Sequence, residues 1–216
     1  MTPGRFVEEL SSTRFEDSFN PYSDECSLHD LEGAPKQRSN ILGRLISEAQ
    51  RVEVDSLWVG RDLGYRGGRR TGLALTDDVH FHEHLGRWQI KMDRPTVGQA
   101  VSERTASVVW ELLSRIEQPV FLWNVFPFHP HCPGDPFSNR SHNASERDTG
   151  LAILSQLISL LQPKKLIAVG NDAEKALTQF AGELPVIKVR HPSYGGQREF
   201  SKRISEVFEL SAGPLL

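Results

Sequence analysis

The chain is poor in cysteine, with only Cys26 and Cys132 in 216 residues. Two thiols are too few for a disulfide framework or for an iron–sulfur cluster held by four thiolates. Long apolar runs are also missing: nothing approaches the ~18–20 apolar residues that a membrane-crossing helix needs. The opening MTPGRFVEELSSTRFEDSFN has neither the basic start nor the apolar stretch of a secretory signal. A global excess of positive charge is lacking too. The formal net charge is −3 and the isoelectric point is near 6.2, unlike a typical nucleic-acid binder. These absences predict a cytoplasmic chain in a reducing compartment, with no membrane partner.

What is present is an ordinary globular composition, 38% hydrophobic and 25% charged, with 17 Gly and 13 Pro. The length suits one α/β domain or two very small ones, and it allows a sizeable core. Overall charge is a weak veto on DNA binding, because a binding face needs only a local excess. Between Gly60 and Gly72, Arg61, Arg66, Arg69 and Arg70 stand against a single acid, Asp62. Acids gather elsewhere, around Glu8, Glu9, Glu16, Asp17, Asp24 and Glu25.

Residues 1–35 are polar and without a sustained period, and they contain Asn20-Pro21, Gly33 and Pro35. They read as an N-terminal extended arm with at most a short helix near Phe6–Leu10, and they precede a domain over residues 36–216. A helical period begins at Lys36, with Ile41, Leu45, Ile46 and Ala49 on one face. Leu57-Trp58-Val59, closed by Gly60, reads as a buried strand. A helix over Val97–Ile116 leads to a second strand, Val120–Asn124, and then to a proline-rich loop. Helices are expected at Glu146–Leu161, Asp172–Phe180 and Phe200–Leu210, and strands at Leu166–Gly170 and Val186–Val189. Continuously apolar strands alternating with helices imply a single three-layer α/β/α domain around a mainly parallel four-stranded sheet. Ligands of such sheets bind beyond the carboxyl ends of the strands. The loops Gly60–Asp78, Asn124–Ser145 and Arg190–Glu199 should therefore build one functional edge.

Each loop alone is ambiguous. Gly60-Arg61-Asp62-Leu63-Gly64-Tyr65-Arg66-Gly67-Gly68 suggests a phosphate cradle, but it lacks G-x-G-x-x-G spacing and Asp62 would repel phosphate. It could equally be a flexible turn, with Asp62 a base, a charge stabiliser or a helix cap. His129, His131 and Cys132 invite a metal reading. So do His80, His82 and His84, which would share a face on a strand. Neither group has the spacing of a recognised zinc site, so surface or wall histidines are expected and no metal. His191 follows a strand and precedes Pro192. A lone histidine is more often structural, but its edge is the one that carries Asp62 and Asn124.

Together the three loops resemble the uracil-DNA glycosylase superfamily. Gly60-Arg61-Asp62-Leu63-Gly64 through Thr71-Gly72-Leu73-Ala74-Leu75-Thr76 aligns without a gap on the family's first motif. That motif reads GQDPYH then HGLAFS in one branch, and GEAPG then TG-x-PF in another. Asn124 ends its strand as the family's uracil-reading Asn does. Ser138-Asn139-Arg140 with Glu146 resembles NR-x-PT-x-x-E, and His191-Pro192-Ser193 matches the final HPS. The resemblance spans roughly Leu57 to Ile204 and keeps the motifs in order.

The resemblance implies a monomeric repair enzyme that needs no cofactor, acts on uracil-containing DNA and hands an abasic site to downstream base-excision repair proteins. It would be nucleoid-associated when acting on DNA. Asp62 and His191 are then catalytic, and Gly60, Arg61, Leu63, Gly64, Leu75, Asn124 and Phe126 surround the base. Arg66, Arg69, Arg70, Arg140, His142, Ser193, Tyr194, Gly195, Gln197 and Arg198 are the DNA-contacting set, with Arg190 a further phosphate candidate. There are departures from the family pattern. Leu75 stands where the family stacks a Phe on uracil, with Phe126 the candidate substitute. Leu63 replaces the usual Pro. Gly64 replaces a Tyr that blocks thymine's methyl group, leaving that task to Tyr65 or another side chain. Gly195 replaces a wedging Leu, leaving Tyr194, Gln197 or Arg198 to fill the gap. Arg61 fills the slot of the GEAPG branch's catalytic Glu, so Asp62 is the only acid in the motif. Three alternatives stay open: a glycosylase for hypoxanthine, xanthine or mismatched thymine; a uracil-DNA crosslinking protein that uses His142; and a non-enzymatic relative.

Overall fold

The computed structural model describes residues 1–179 and 182–211. Its elements run α1 (Pro3–Ser12), β1 (Ser18–Phe19), α2 (Ala34–Ala49), β2 (Ser56–Asp62), α3 (Gly68–Thr71), α4 (Phe81–Arg87) and α5 (Arg104–Leu113). They continue with β3 (Val120–Phe126), β4 (His129–Pro130), α6 (Ala144–Leu161), β5 (Lys165–Val169), α7 (Asn171–Leu177), β6 (Val186–Val189) and α8 (Gln197–Val207). The central sheet has the order β3-β2-β5-β6, and every pair is parallel. Because side chains alternate across a strand, Leu57 and Val59 point into one apolar layer, formed with α1, α2, α6 and α7. Trp58 points into the other, formed with α5 and α8. The expected three-layer architecture is the observed one. No helix among the described residues is long and apolar enough to cross a membrane.

Several local expectations change. The N-terminal segment is more than an extended arm. Thr2 accepts a hydrogen bond from the Arg5 amide, Pro3 starts the helix, and Phe6, Val7 and Leu10 are buried against the core. Further along, β1 pairs antiparallel with β4, Arg38 makes a buried ion pair with Asp30, and the Tyr22 hydroxyl donates to the Gly72 carbonyl at 2.7 Å. The segment is thus sewn to the glycine-rich loop. His80, His82 and His84 lie at the start of and within α4 rather than on a strand, so they splay apart. His80 bonds Asp77, His84 is buried against Thr76, and His82 is exposed.

The helix expected from Val97 begins only at Arg104. Asp77 accepts the Glu103 amide at 2.6 Å and Asp78 the Val101 amide at 3.3 Å, which holds the lead-in extended. Helix α6 opens with a capping box of Asn143 and Glu146. The fourth expected helix ends at Leu177, and Phe180 lies outside the described residues, as do residues 212–216 of the expected domain. The last helix starts three residues before Phe200, at Gln197.

Candidate active site

The carboxyl ends of β2 and β5, with the loop after β6, converge on a cleft of about 380 Å³. Asp62, Leu63, Gly64, Leu75, Glu103, His191 and Tyr194 are among its lining residues. In the parallel register Gly60 stands opposite Asn124 and Asp62 opposite Phe126, so the ends of two neighbouring strands set the spacing of the site. Gly60 is required there. A Cβ on it would lie 2.5 Å from Asn124 Oδ1 and 3.2 Å from Leu75 Cδ2, so any side chain would displace the amide.

Asp62 is largely buried and oriented from two sides. Arg61 Nε donates to its Oδ2 at 2.7 Å, and His142 Nδ1 bonds its Oδ1. Arg61 also approaches Asp172 at 3.6 Å and is itself exposed. A carboxylate whose direction is fixed by a guanidinium is suited to stabilise positive charge or align a water.

His191 carries a readable tautomer. The Ser193 amide donates to Nδ1 at 3.2 Å, so Nδ1 is an acceptor and the ring proton sits on Nε2. The Ser193 hydroxyl lies 2.7 Å from the same nitrogen. Burial, with Arg61 adding to it, pushes the imidazole below the ordinary histidine range, so it is a neutral donor at pH 7. Such a group can hydrogen-bond an oxyanion without first giving up a proton.

Asn124 is 2% exposed, and its Oδ1 has no hydrogen-bond partner. An unsatisfied buried acceptor costs about 1–3 kcal/mol, so this one is set for a donor that a ligand brings. Leu75 meets it over Gly60 and lines the cleft. The Leu75 backbone is in the left-handed region at φ 52°, and its carbonyl is held by Trp110 Nε1 at 3.1 Å.

Other expectations need correction. Phe126 cannot stack on a base: it is fully buried, edge-on to Phe15 and Phe128 at 5.5 and 5.2 Å. Arg69 and Arg70 are each 4% exposed and cannot reach phosphate. The Arg69 guanidinium lies between the rings of Phe19 and Phe137, while Arg70 Nε bonds Asp78 at 2.7 Å. Arg140 is occupied by a two-bond pair with Glu146 and by the Asp17 and His131 carbonyls, so it is a fastener of the proline-rich loop. His142 faces Asp62 instead of open solvent.

The remaining expected DNA-contacting residues keep free surface. Arg66 is exposed beside Tyr65, bonding its hydroxyl at 2.8 Å, and Arg198 and Gly195 are exposed. Arg190 bonds Glu199 at 2.8 Å. Ser193 and Gln197 are half-buried, and Ser193 lines the cleft. Tyr194 is 97% exposed at φ 51°, standing out from the loop that carries His191. Sequence reasoning missed Glu103 and Thr105, which wall the cleft from the start of α5. The signal available was the acid pair Asp77-Asp78, which ties that segment to the first motif.

A search of curated proteins finds no match to this chain. Among solved structures, the crystal structure of wild-type Pedobacter heparinus SMUG2 is similar, with a TM-score of 0.64 at 14% identity over 97% of each chain. A family model described as the uracil DNA glycosylase superfamily matches residues 53–209, which include β2 to α8 and the whole cleft. The chain belongs to the uracil-DNA glycosylase superfamily.

Proposed function

We propose that this protein is a DNA glycosylase that hydrolyses the N-glycosidic bond of a uracil flipped out of DNA, acting as a monomer and leaving an abasic site. The observation that carries the reading is the orphaned Asn124 Oδ1, buried beside the cleft that Asp62 and His191 line. Uracil offers an imide N–H next to a carbonyl. Asn124 Oδ1 would accept the first and its amide N–H₂ would donate to the second. Cytosine presents the opposite order at these positions and would leave the acceptor unpaired.

Bond cleavage builds positive charge on the sugar and negative charge on the departing base. Asp62, oriented by Arg61, stabilises the sugar cation and directs the water. The Nε2–H of His191 donates to the uracil oxygen as it becomes anionic, a contact worth roughly 2.7–4 kcal/mol in comparable oxyanion sites. Flipping costs a few kcal/mol. Exposed Arg66 and Arg198 would contribute phosphate contacts that offset it, and the exposed Tyr194 would fill the vacated stack.

The test is single-turnover release from a uracil oligonucleotide, read as alkali-labile cleavage. Wild type cleaves. Asp62→Asn lowers the rate by about 10²–10⁴, and His191→Ala by about 10²–10³. Equal cleavage by Asp62→Asn removes that residue from the mechanism, and no cleavage by wild type removes uracil as the substrate.

A further inference from the structure

Asp62 is the last residue of β2 and pairs with Phe126 of β3, so the sheet fixes its backbone but not its side-chain torsions. A single bond to Oδ2 leaves a carboxyl plane free to swing about that contact, whereas a bond to each oxygen fixes the plane. Arg61 Nε takes Oδ2 at 2.7 Å, and His142 Nδ1 takes Oδ1. The two holds differ in kind. The Arg61 side chain is 43% exposed and is shared with Asp172 at 3.6 Å. Exposed ion pairs of long side chains constrain geometry little. His142 lies 80 positions away in the chain, and its side chain is 10% exposed. A short, enclosed ring loses less freedom in making its bond.

The loop delivers His142 to Asp62 without needing its ring elsewhere. Two residues earlier, Arg140 is fastened by Glu146 and by the carbonyls of Asp17 and His131. One residue later, Asn143 caps α6. Both flanks are therefore anchored by other side chains. Among the described residues, the bond to Asp62 is the ring's only hydrogen bond. A carboxylate oxygen only accepts, so Nδ1 is the donor. The ring lines a second cavity, of about 420 Å³, which shares Arg61 and Asp172 with the cleft. Asp62 lines the cleft itself, and His142 does not.

We propose that His142 is a positioning residue, whose ring locks the Asp62 carboxyl group in the orientation from which it meets the sugar and its water. This rests on the uracil reading of the cleft. His142 acts through Asp62, in place of contact with DNA or covalent attachment to it. A carboxyl group freed on one side samples other orientations, and a misplacement of about 1 Å can cost 10²-fold in rate.

The experiment measures single-turnover uracil release over a range of protein concentrations. Wild type, His142→Ala and His142→Asn are compared, each with Asp62 and with Asp62→Asn. His142→Ala should lower the maximal rate by about 10²-fold. Its half-saturating concentration should stay within about threefold of wild type, because the lost contact is not one that binds DNA. His142→Asn offers an amide N–H near the position of Nδ1 and should recover about tenfold of that loss. On the Asp62→Asn background, His142→Ala should cost no more than about threefold, as for residues that act as a unit. An equal loss on both backgrounds makes the ring a support of the fold and overturns the proposal. So do a maximal rate unchanged in His142→Ala, a change confined to the half-saturating concentration, or a denaturant-resistant protein–DNA band that His142→Ala abolishes. Absence of uracil release by wild type overturns the reading of the cleft, and this role with it.

Discussion

The stretch from the end of β2 through α3 carries four arginines within ten residues, and they divide into two pairs of opposite fate. Arg61 and Arg66 are exposed, one holding the cleft's carboxylate and the other facing solvent beside Tyr65. Arg69 and Arg70 are buried three residues further on, because α3 and the Gly72 turn carry the chain back beneath the N-terminal segment. In sequence the four look like one basic patch. In the fold, one pair belongs to the functional edge and the other to the scaffold that shapes it. A run of like charges reports what the side chains are, while depth decides what they do.

Removing the buried pair should have the largest effect. Arg70→Ala leaves Asp78 in the interior with only Arg94 at 3.5 Å and the Thr96 hydroxyl at 2.9 Å as side-chain partners. Breaking a buried ion pair on one side typically costs 3–5 kcal/mol, so the denaturant midpoint should fall by a comparable free energy. Arg69→Ala should cost less, about 2 kcal/mol, because it removes a desolvated guanidinium whose carbon lies 4.0 and 4.7 Å from two ring centroids. If either variant unfolds like wild type but binds DNA more weakly, the division drawn here is wrong.

The scaffold should also fail in acid before the exposed half does. His84 is fully buried on the Thr76 hydroxyl, 2.9 Å away, and burial pushes its ring down to about 3. The unfolded chain protonates this ring near pH 6.5, whereas the folded chain resists until about pH 3. Stability from this group is therefore complete above pH 6.5 and declines as pH falls through the window between the two values. His129, also pushed down to about 3, acts with the same sign. Urea unfolding between pH 7 and pH 4 checks this. His84→Asn should flatten the slope relative to wild type.

The architecture was legible because the strands are short apolar runs bounded by glycine or polar turns, a pattern that buried parallel strands require. The clustering of Asp62, Asn124 and His191 was legible for a related reason: each lies close to the carboxyl end of such a run, and a parallel sheet sends all those ends to one edge. Helix α1 was legible only as a short helix near Phe6–Leu10, and its full span and core packing escaped because its apolar stripe is only Phe6, Val7 and Leu10, too short to register as a period without its packing partners. Phe126 misled because its position near Asn124 says nothing about which neighbours enclose it. Glu103 escaped because it is a single acid far along the chain from the motif it borders, brought there only by the bonds of Asp77 and Asp78 to its segment.

The smallest effect, and the sharpest test of the division, belongs to Arg66. Its side chain bonds only the neighbouring Tyr65 hydroxyl and stands over that ring at 5.6 Å, so little of the fold depends on it. Arg66→Ala should leave the unfolding free energy within about 0.5 kcal/mol of wild type. If the residue neutralises a phosphate, the same change should lower DNA affinity uniformly across sequences. It should also reduce the slope of log affinity against log salt by about one unit. Arg70→Lys is the matched control: it keeps a charge at the buried position, so any loss in stability should leave the salt slope untouched. Equal salt slopes for wild type and Arg66→Ala would mean that the exposed half of the segment does not face DNA. The phosphate contacts would then have to come from Arg198 and the loop that bears Tyr194.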